Sequence, residues 1–384
     1  MNIGILTSSF PLRRDDALQA PFLIPFIEGL RMRGHRVSVF TQDREGHKEE
    51  FLKEVRVTWF SWMGSAGPLV HLNVLNPLDS LRVMSLFRQG RKAILPFLRE
   101  NRIDACLALW VLPSGYFAHY AMDKTGTPYS VWALGSDIYR YGKNLLLRPA
   151  MVPIIRDARG VFADGYDLAR RVEEQFNRKC EFLATARFLA KKSGIDTGSL
   201  PSDYRFLFVG RLEGVKGVDL LLHSMALLRD EGVTAHLNVV GKGSLEKWMR
   251  AFIAEKQLET RVTMVGQVSD AVLAEQFDSV HCVVIPSRSE SIPLVFSEAL
   301  NFDREMIVTD VGDMGDLGRE YRVARVVPPE DPMALKEAMK EKVRRDPGET
   351  GPGHEEKKAD LKRRFDIQAS VDRFLSDYQT ENGG

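Results

Sequence analysis

The chain has 384 residues, 44% of them apolar and 27% charged, with a formal net charge of +1 at pH 7. This length exceeds one ordinary hydrophobic core and suits two domains, and the composition excludes global disorder. No basic region with a long apolar run behind it opens the sequence, no apolar stretch reaches bilayer-spanning length, and basic and aromatic residues do not interleave as in a nucleic-acid-binding surface; a cytoplasmic location is expected.

From the first residue, apolar β-rich runs alternate with helical patterns. The runs at 2–7, 37–41, 55–60, 105–110, 129–134 and 160–164 lack clean alternation, as strands covered on both faces do. Helical patterns occupy 21–33, 79–102, 114–124 and 145–157, and Gly34 is placed to stop the first. This is the βαβ rhythm of a doubly wound parallel sheet. Within 79–102, Leu81, Met84, Leu86 and Phe87 accompany Arg82, Arg88, Arg91 and Lys92. That mixture fits first a helix with an apolar core face and, as the second reading, a basic helix lying on an anionic membrane, and Pro96 is expected to kink or divide it.

The small, polar, proline-containing stretch 196–203 reads as a linker between a first domain at 1–195 and a second at 204–365, with a terminal helix at 366–384 that packs back on the first domain. New strands follow at 204–209, 236–240, 262–265, 282–286, 305–309 and 322–327. The charged, turn-rich run 344–364 reads as a mobile surface loop. Up to Cys180 there are 25 Lys and Arg against 18 Asp and Glu, and beyond it 28 against 34. An anionic partner of the first part and a plain solvated surface explain this excess equally well. Cys106, Cys180 and Cys282 are widely spaced, fitting buried thiols better than a disulfide framework or a metal site.

Two segments carry chemistry. GRLEGVKG at 210–217 follows a strand and precedes a helix: its glycines allow close backbone approach, Arg211 offers a planar fork and Lys216 a point charge, and a helix N-terminus stands beside them. A diphosphate suits that set, as does an ordinary turn with two solvated cations. The segment PSRSESIPLVFSE at 286–298 also follows a strand and places Glu290 in a loop and Glu298 in a helix, where carboxylates accept paired hydrogen bonds from vicinal hydroxyls. Asp137, in ALGSD at 133–137, is either a polar site residue or a helix N-cap.

Together these segments resemble the GRLxxxKG and Glu-x7-Glu motifs of glycosyltransferase family 4, the glycosyl transferases group 1. The resemblance extends over TSSFP, GLRMRGHRVSVFT, LPSGYFAHYA, VVGKGSLE, MVGQVS and TDVGDMGDL. It implies an α/β protein of GT-B fold, two Rossmann-like doubly wound domains facing across a cleft, with the acceptor held by the first and a nucleotide-sugar donor by the second. Arg211 and Lys216 are then expected on the donor diphosphate, Glu290 on the transferring sugar and Glu298 on the ribose. Gly210, the amides of Ser291, Ile292 and Leu294, and the intervening Pro293 complete the diphosphate and sugar site, and Gly266, Gln267 and Val268 form the base-binding turn. The implied enzyme retains the donor's configuration and uses neither metal nor cofactor, the donor being UDP- or GDP-linked. Its acceptor is a glycan or lipid-linked hydroxyl, in cell-surface polysaccharide or glycolipid synthesis; peripheral membrane attachment belongs to the basic-helix reading of 79–102.

Two departures from the family pattern bear on activity. The chain has FPLRRDD at 10–16 where a glycine-rich loop is usual, and Leu134 stands where members often carry a histidine, leaving Asp137 as the polar group at that turn. A catalytically silent sugar-nucleotide-binding protein and a GT-B-like epimerase are the alternatives.

Overall fold

The computed structural model describes residues 1–13, 19–45, 48–49, 52–64, 69, 72, 76–142, 144, 147–187, 189–190, 203–344 and 354–379. The chain divides into two units, Met1–Thr185 with Ile367–Gly384, and Ala186–Asp366. The expected linker at 196–203 lies outside the described residues apart from Asp203. The division falls after Thr185 rather than after 195, because Arg187 is already buried in ion pairs with side chains of the second unit.

In the first unit, β1 (Asn2–Leu6), β2 (Arg36–Gln42), β3 (Arg56–Phe60), β4 (Ala105–Leu109), β5 (Tyr129–Ala133), β6 (Val161–Ala163) and β7 (Glu181–Phe182) form one parallel sheet. Its order is β3-β2-β1-β4-β5-β6-β7, so the winding reverses between β1 and β4. Every residue of β4 and β5 is buried, as both-face coverage demands. The covering helices are α1 (Leu23–Met32), α2 (Pro77–Asn101), α3 (Tyr116–Thr125), α4 (Arg148–Arg156) and α5 (Tyr166–Phe176). Helix α1 ends as its sequence predicts: Gly34 has φ 80°, and its amide and that of His35 close onto Arg31 and Leu30. Helix α2 stays a single helix through Pro96, since Ile94, Phe97 and Leu98 on either side are pinned in the core. Its first turns leave Leu78, Leu81 and Met84 exposed, so the apolar face is core only in its later half.

The second unit repeats the plan with β8 (Arg205–Val209), β9 (His236–Val240), β10 (Val262–Gly266), β11 (Cys282–Ile285), β12 (Glu305–Thr309) and β13 (Ala324–Val327). The parallel order β10-β9-β8-β11-β12-β13 reverses between β8 and β11. Helices α6 (Val218–Asp230), α7 (Glu246–Glu255), α8 (Asp270–Asp278), α9 (Leu294–Asn301), α10 (Met314–Glu320) and α11 (Pro332–Arg344) connect the strands. The run 344–364 is not a loop throughout. After residues 345–353, which lie outside the described set, α12 (His354–Arg364) forms from strong helix formers, with Glu355 and Glu356 in its first turn and Lys362 to Arg364 in its last, matching the helix dipole. Leu361 is buried, and Phe365 just beyond packs against Phe296 of α9 at 5.9 Å between ring centroids.

The last helix, α13 (Ile367–Gln379), belongs to the first unit and lies on α1. Arg33 forks onto Asp372 at 2.5 and 2.7 Å and reaches Gln368, while Phe374 packs its ring at a tilt against Phe26 and the Tyr378 hydroxyl meets Ser130 of β5 at 2.9 Å. Phe374 is wholly buried. Truncating it in Phe374→Ala should lower the stability of the first unit by about 3–5 kcal/mol, the usual cost of an emptied aromatic site, measured by urea unfolding followed through tryptophan fluorescence. A loss below about 1 kcal/mol would show that α13 is dispensable to that unit.

Candidate functional site

Open parallel sheets bind ligands where the winding reverses, beyond the carboxyl ends of the strands. In the second unit that place lies beyond β8 and β11, and both chemistry-bearing segments start there. Gly210 follows β8, and the GRLEGVKG segment turns through a 3-10 helix at Gly214–Lys216 into α6. The segment from Pro286 to Pro293 follows β11 and leads into α9.

Glycine backbones hold these loops together. Gly217 has φ 66°, and a Cβ there would sit 1.9 Å from the carbonyl oxygen of Pro286; a Cβ on Gly241 would sit 1.9 Å from that of Gly210. Gly312, at the end of β12, faces the carbonyls of Glu290 and Ser291 at 2.2 and 2.7 Å in the same sense. Hydrogen bonds run across the gaps so closed: Gly210 N to Val240 O at 3.0 Å, Leu212 N to Lys242 O at 2.9 Å, Gly241 N to Gly266 O at 2.8 Å and Arg288 N to Val215 O at 2.8 Å. The turn expected to meet the base, Gly266 to Val268, is thereby tied to Gly210 through Gly241. Gly266 has φ 80° with open space at its Cβ position, and Gln267 is exposed.

The charged side chains are mostly engaged with one another. Lys216 pairs with Glu290, both largely buried, so the two motifs meet directly. Arg211 is exposed and takes no side-chain hydrogen bond or ion pair among the described residues. Arg288, which sequence reasoning passed over, forks onto Asp219 at 2.7 and 2.8 Å, bonds Glu330 at 2.6 Å and reaches the carbonyl of Gly214, clamping the second motif to the first. Those partners raise its pKa, Asp219 foremost. Ser291 Oγ is buried without a hydrogen-bond partner among the described residues, next to the start of α9, whose first amides lack intrahelical acceptors.

Glu298 is 2% exposed, and its Oε1 accepts from Arg187 Nε at 2.5 Å. Arg187, 6% exposed, also donates through Nη1 to Asp270 Oδ1 at 2.9 Å, at the start of α8. Burial works against the Arg187 charge, but Glu298 and Asp270 outweigh it and raise its pKa. No motif flags Arg187; its partners lie 111 and 83 positions away in sequence.

Asp137 departs from the expectation that it faces a ligand. It belongs to the first unit and is fully buried, and its two oxygens accept from the amides of Val111 at 2.9 Å and Leu134 at 3.3 Å. It braces the turns after β4 and β5. The first of these begins with Trp110 at φ 66° and ψ 138°, a conformation that L side chains rarely adopt, beside the amide that Asp137 holds.

Burial pushes the Asp137 carboxyl up to about 6, although the amides of Val111 and Leu134 pull the other way. Its folded-state pKa thus lies above the 3.8 of an ordinary aspartate, so the folded chain holds this proton more tightly. The stability that results is fully present below the unfolded value and is lost as pH rises through the folded one. The first unit should lose stability between about pH 4 and about pH 7, and Asp137→Asn should flatten that decline in urea unfolding run across this range. An unchanged slope in the variant would mean that another group titrates.

Residues 203–344 match the family described as glycosyl transferases group 1. Alpha-D-kanosaminyltransferase of Streptomyces kanamyceticus is 24% identical over 252 residues, 62% of this chain and 62% of that protein. D-inositol 3-phosphate glycosyltransferase of Pseudarthrobacter chlorophenolicus is 32% identical over 127 residues, 32% of this chain and 30% of its own length. The chain thus spans less than two thirds of the length of these curated relatives. Among solved structures, sucrose-phosphate synthase of Thermosynechococcus elongatus superposes with a TM-score of 0.78 at 16% identity, covering 99% of this chain and 98% of that one. Anabaena HepE in complex with UDP superposes with a TM-score of 0.75 at 16% identity, covering 99% and 100%. With two parallel α/β units of this order and these superpositions, the chain has the GT-B fold, and its second unit is similar to the glycosyl transferases group 1 over residues 203–344.

Proposed function

We propose that the protein is a retaining, metal-independent glycosyltransferase that moves a sugar from a nucleoside-diphosphate sugar to a hydroxyl acceptor. The observation that carries this reading is the meeting of Lys216 with Glu290 where the second sheet reverses its winding, in the same motif as Arg211, whose guanidinium has no partner among the described residues. Arg211 and Lys216 take the diphosphate, with the orphaned Ser291 hydroxyl and the first amides of α9 as further donors. Glu290, exchanging Lys216 for ligand, faces the sugar; Glu298 takes ribose hydroxyls; and the turn from Gly266 to Val268 receives the base through its main chain. Structures of Anabaena HepE with UDP and with UDP-glucose support a uridine donor; a guanosine donor fits the same main-chain turn.

In the reaction, the bond between the anomeric carbon and the diphosphate oxygen breaks, and its electron pair stays on the phosphate. The acceptor oxygen bonds to the anomeric carbon on the same face, and its proton passes to a donor phosphate oxygen. Negative charge therefore grows on the leaving group, where Arg211 and Lys216 act. Lys216→Ala should cut turnover at least about 100-fold while leaving the melting temperature within a few degrees of the parent, assayed with the nucleotide sugar that gives the largest thermal shift. Near-normal transfer by that variant would sink the assignment.

A catalytically silent nucleotide-sugar binder is the second reading. Leu134 and the buried Asp137 favour it, since the turn after β5 offers no ionisable group to a ligand. Slow hydrolysis of the donor in the absence of acceptor would rule this reading out.

For the acceptor side we propose attachment to an anionic membrane through the start of α2, with a lipid-linked or growing glycan as acceptor. Leu78, Leu81 and Met84 are exposed there together with Arg88, and a pocket lined by Trp62, Met63 and Lys92 adjoins the same helix. No described helix is long and apolar enough to cross a membrane. The protein should sediment with vesicles containing anionic lipid at low salt and be released at high salt. Failure to sediment at low salt would refute attachment.

A further inference from the structure

Glu298 presents a physical problem that its proposed role leaves unsolved. At 2% exposure it is a carboxylate taken almost wholly out of water, a state that is costly without a counter-charge and hydrogen bonds. Only one side chain among the described residues donates to it, and that is Arg187, at Oε1. Oε2 receives no bond from a described residue, so it retains the acceptor capacity a ribose hydroxyl would use.

The second arm of Arg187 reaches Asp270 at 2.9 Å. Asp270 opens α8, and the turn from Gly266 to Val268 lies immediately before it; Glu298 sits within α9. One planar guanidinium therefore ties together two elements that have no sequence connection. In a nucleoside, base and ribose are separated by a fixed covalent distance, so a site that reads both must fix the spacing between its base turn and its ribose carboxylate. A rigid fork with donors pointing to both elements sets such a spacing in a way that a flexible ammonium does not. Fixing it before the ligand arrives removes the cost of ordering it on binding.

We infer that Arg187 is a positioning residue for the nucleoside: it holds Glu298 by one oxygen so that the other meets the ribose, and sets Glu298 at its distance from the base turn. This rests on the nucleotide-sugar reading above. A pair that served only to anchor the start of the second unit would affect folding and leave ribose recognition untouched.

The test compares ribonucleoside diphosphates with their deoxyribose counterparts by calorimetry on the full chain, using UDP, GDP and ADP. The parent protein should bind its preferred ribonucleoside diphosphate at least about tenfold more tightly than the deoxyribose form, as expected for a hydrogen bond to a charged group. In Arg187→Met this ratio should fall towards one, while the deoxyribose form binds as before within about threefold. Because Arg187→Met leaves two carboxylates without their cation and can fail to fold, Arg187→Lys is the second variant. It keeps the charge but lacks the fork, and its ratio should fall at least about threefold in a protein of near-parent melting temperature. A folded variant of either kind that keeps the parent ratio overturns the inference and leaves the nucleotide-sugar reading standing. A parent protein that binds a diphosphate tightly with no preference for ribose also overturns the inference alone. Binding of none of the three at about 1 mM overturns the nucleotide-sugar reading and the inference with it.

Discussion

The second unit depends on the approach of backbone to backbone where its sheet ends. Gly217 against Pro286, Gly241 against Gly210 and Gly312 against Glu290 and Ser291 bring loops from four strands to distances that no Cβ would allow. Positive φ at all three is the conformation in which glycine has no steric penalty. Because the loops touch through main chain, their side chains are released to project elsewhere, and the charged ones find each other across the same seam.

Those charges arrive already compensated. Lys216 with Glu290, Arg187 with Glu298 and Asp270, and Arg288 with Asp219 and Glu330 alternate cation and anion along the ends of β8, β10 and β11. An anionic ligand gains from Lys216 only what exceeds its existing pairing with Glu290, which favours a ligand that also satisfies the carboxylate it displaces. A diphosphate joined to a hydroxylated sugar does both at once. Arg288, held by three partners, serves as a fixed clamp, and Arg211 has no such partner among the described residues.

The strand–helix rhythm of both units was readable because parallel strands buried on both faces leave unbroken apolar runs, and the two motifs were readable because each follows such a run. What escaped the sequence depends on distant partners or on burial. Arg187 sits in an unremarkable stretch, and its significance comes only from Glu298 and Asp270, far along the chain. Asp137 lies in a recognisable turn, but nothing in ALGSD says that the carboxylate faces inward onto two amides. Helix α12 was masked by the glycines and prolines just before it, although Leu361 and Phe365 are the residues that dock it.

The return of α13 to the first unit orders events during synthesis. Chains emerge from the ribosome N-terminal end first, and domains generally fold as units as they emerge. Here the second unit is one uninterrupted stretch, whereas the first waits for residues 367–379 before the apolar side of α1, with Phe26 and Gly29, is covered. The second unit is therefore the first to have all its own residues available, and the N-terminal unit remains incomplete until residues 367–379 have emerged. A nascent chain that stalls before that helix carries an uncovered hydrophobic face, which makes the arrangement a point at which chaperones have reason to act.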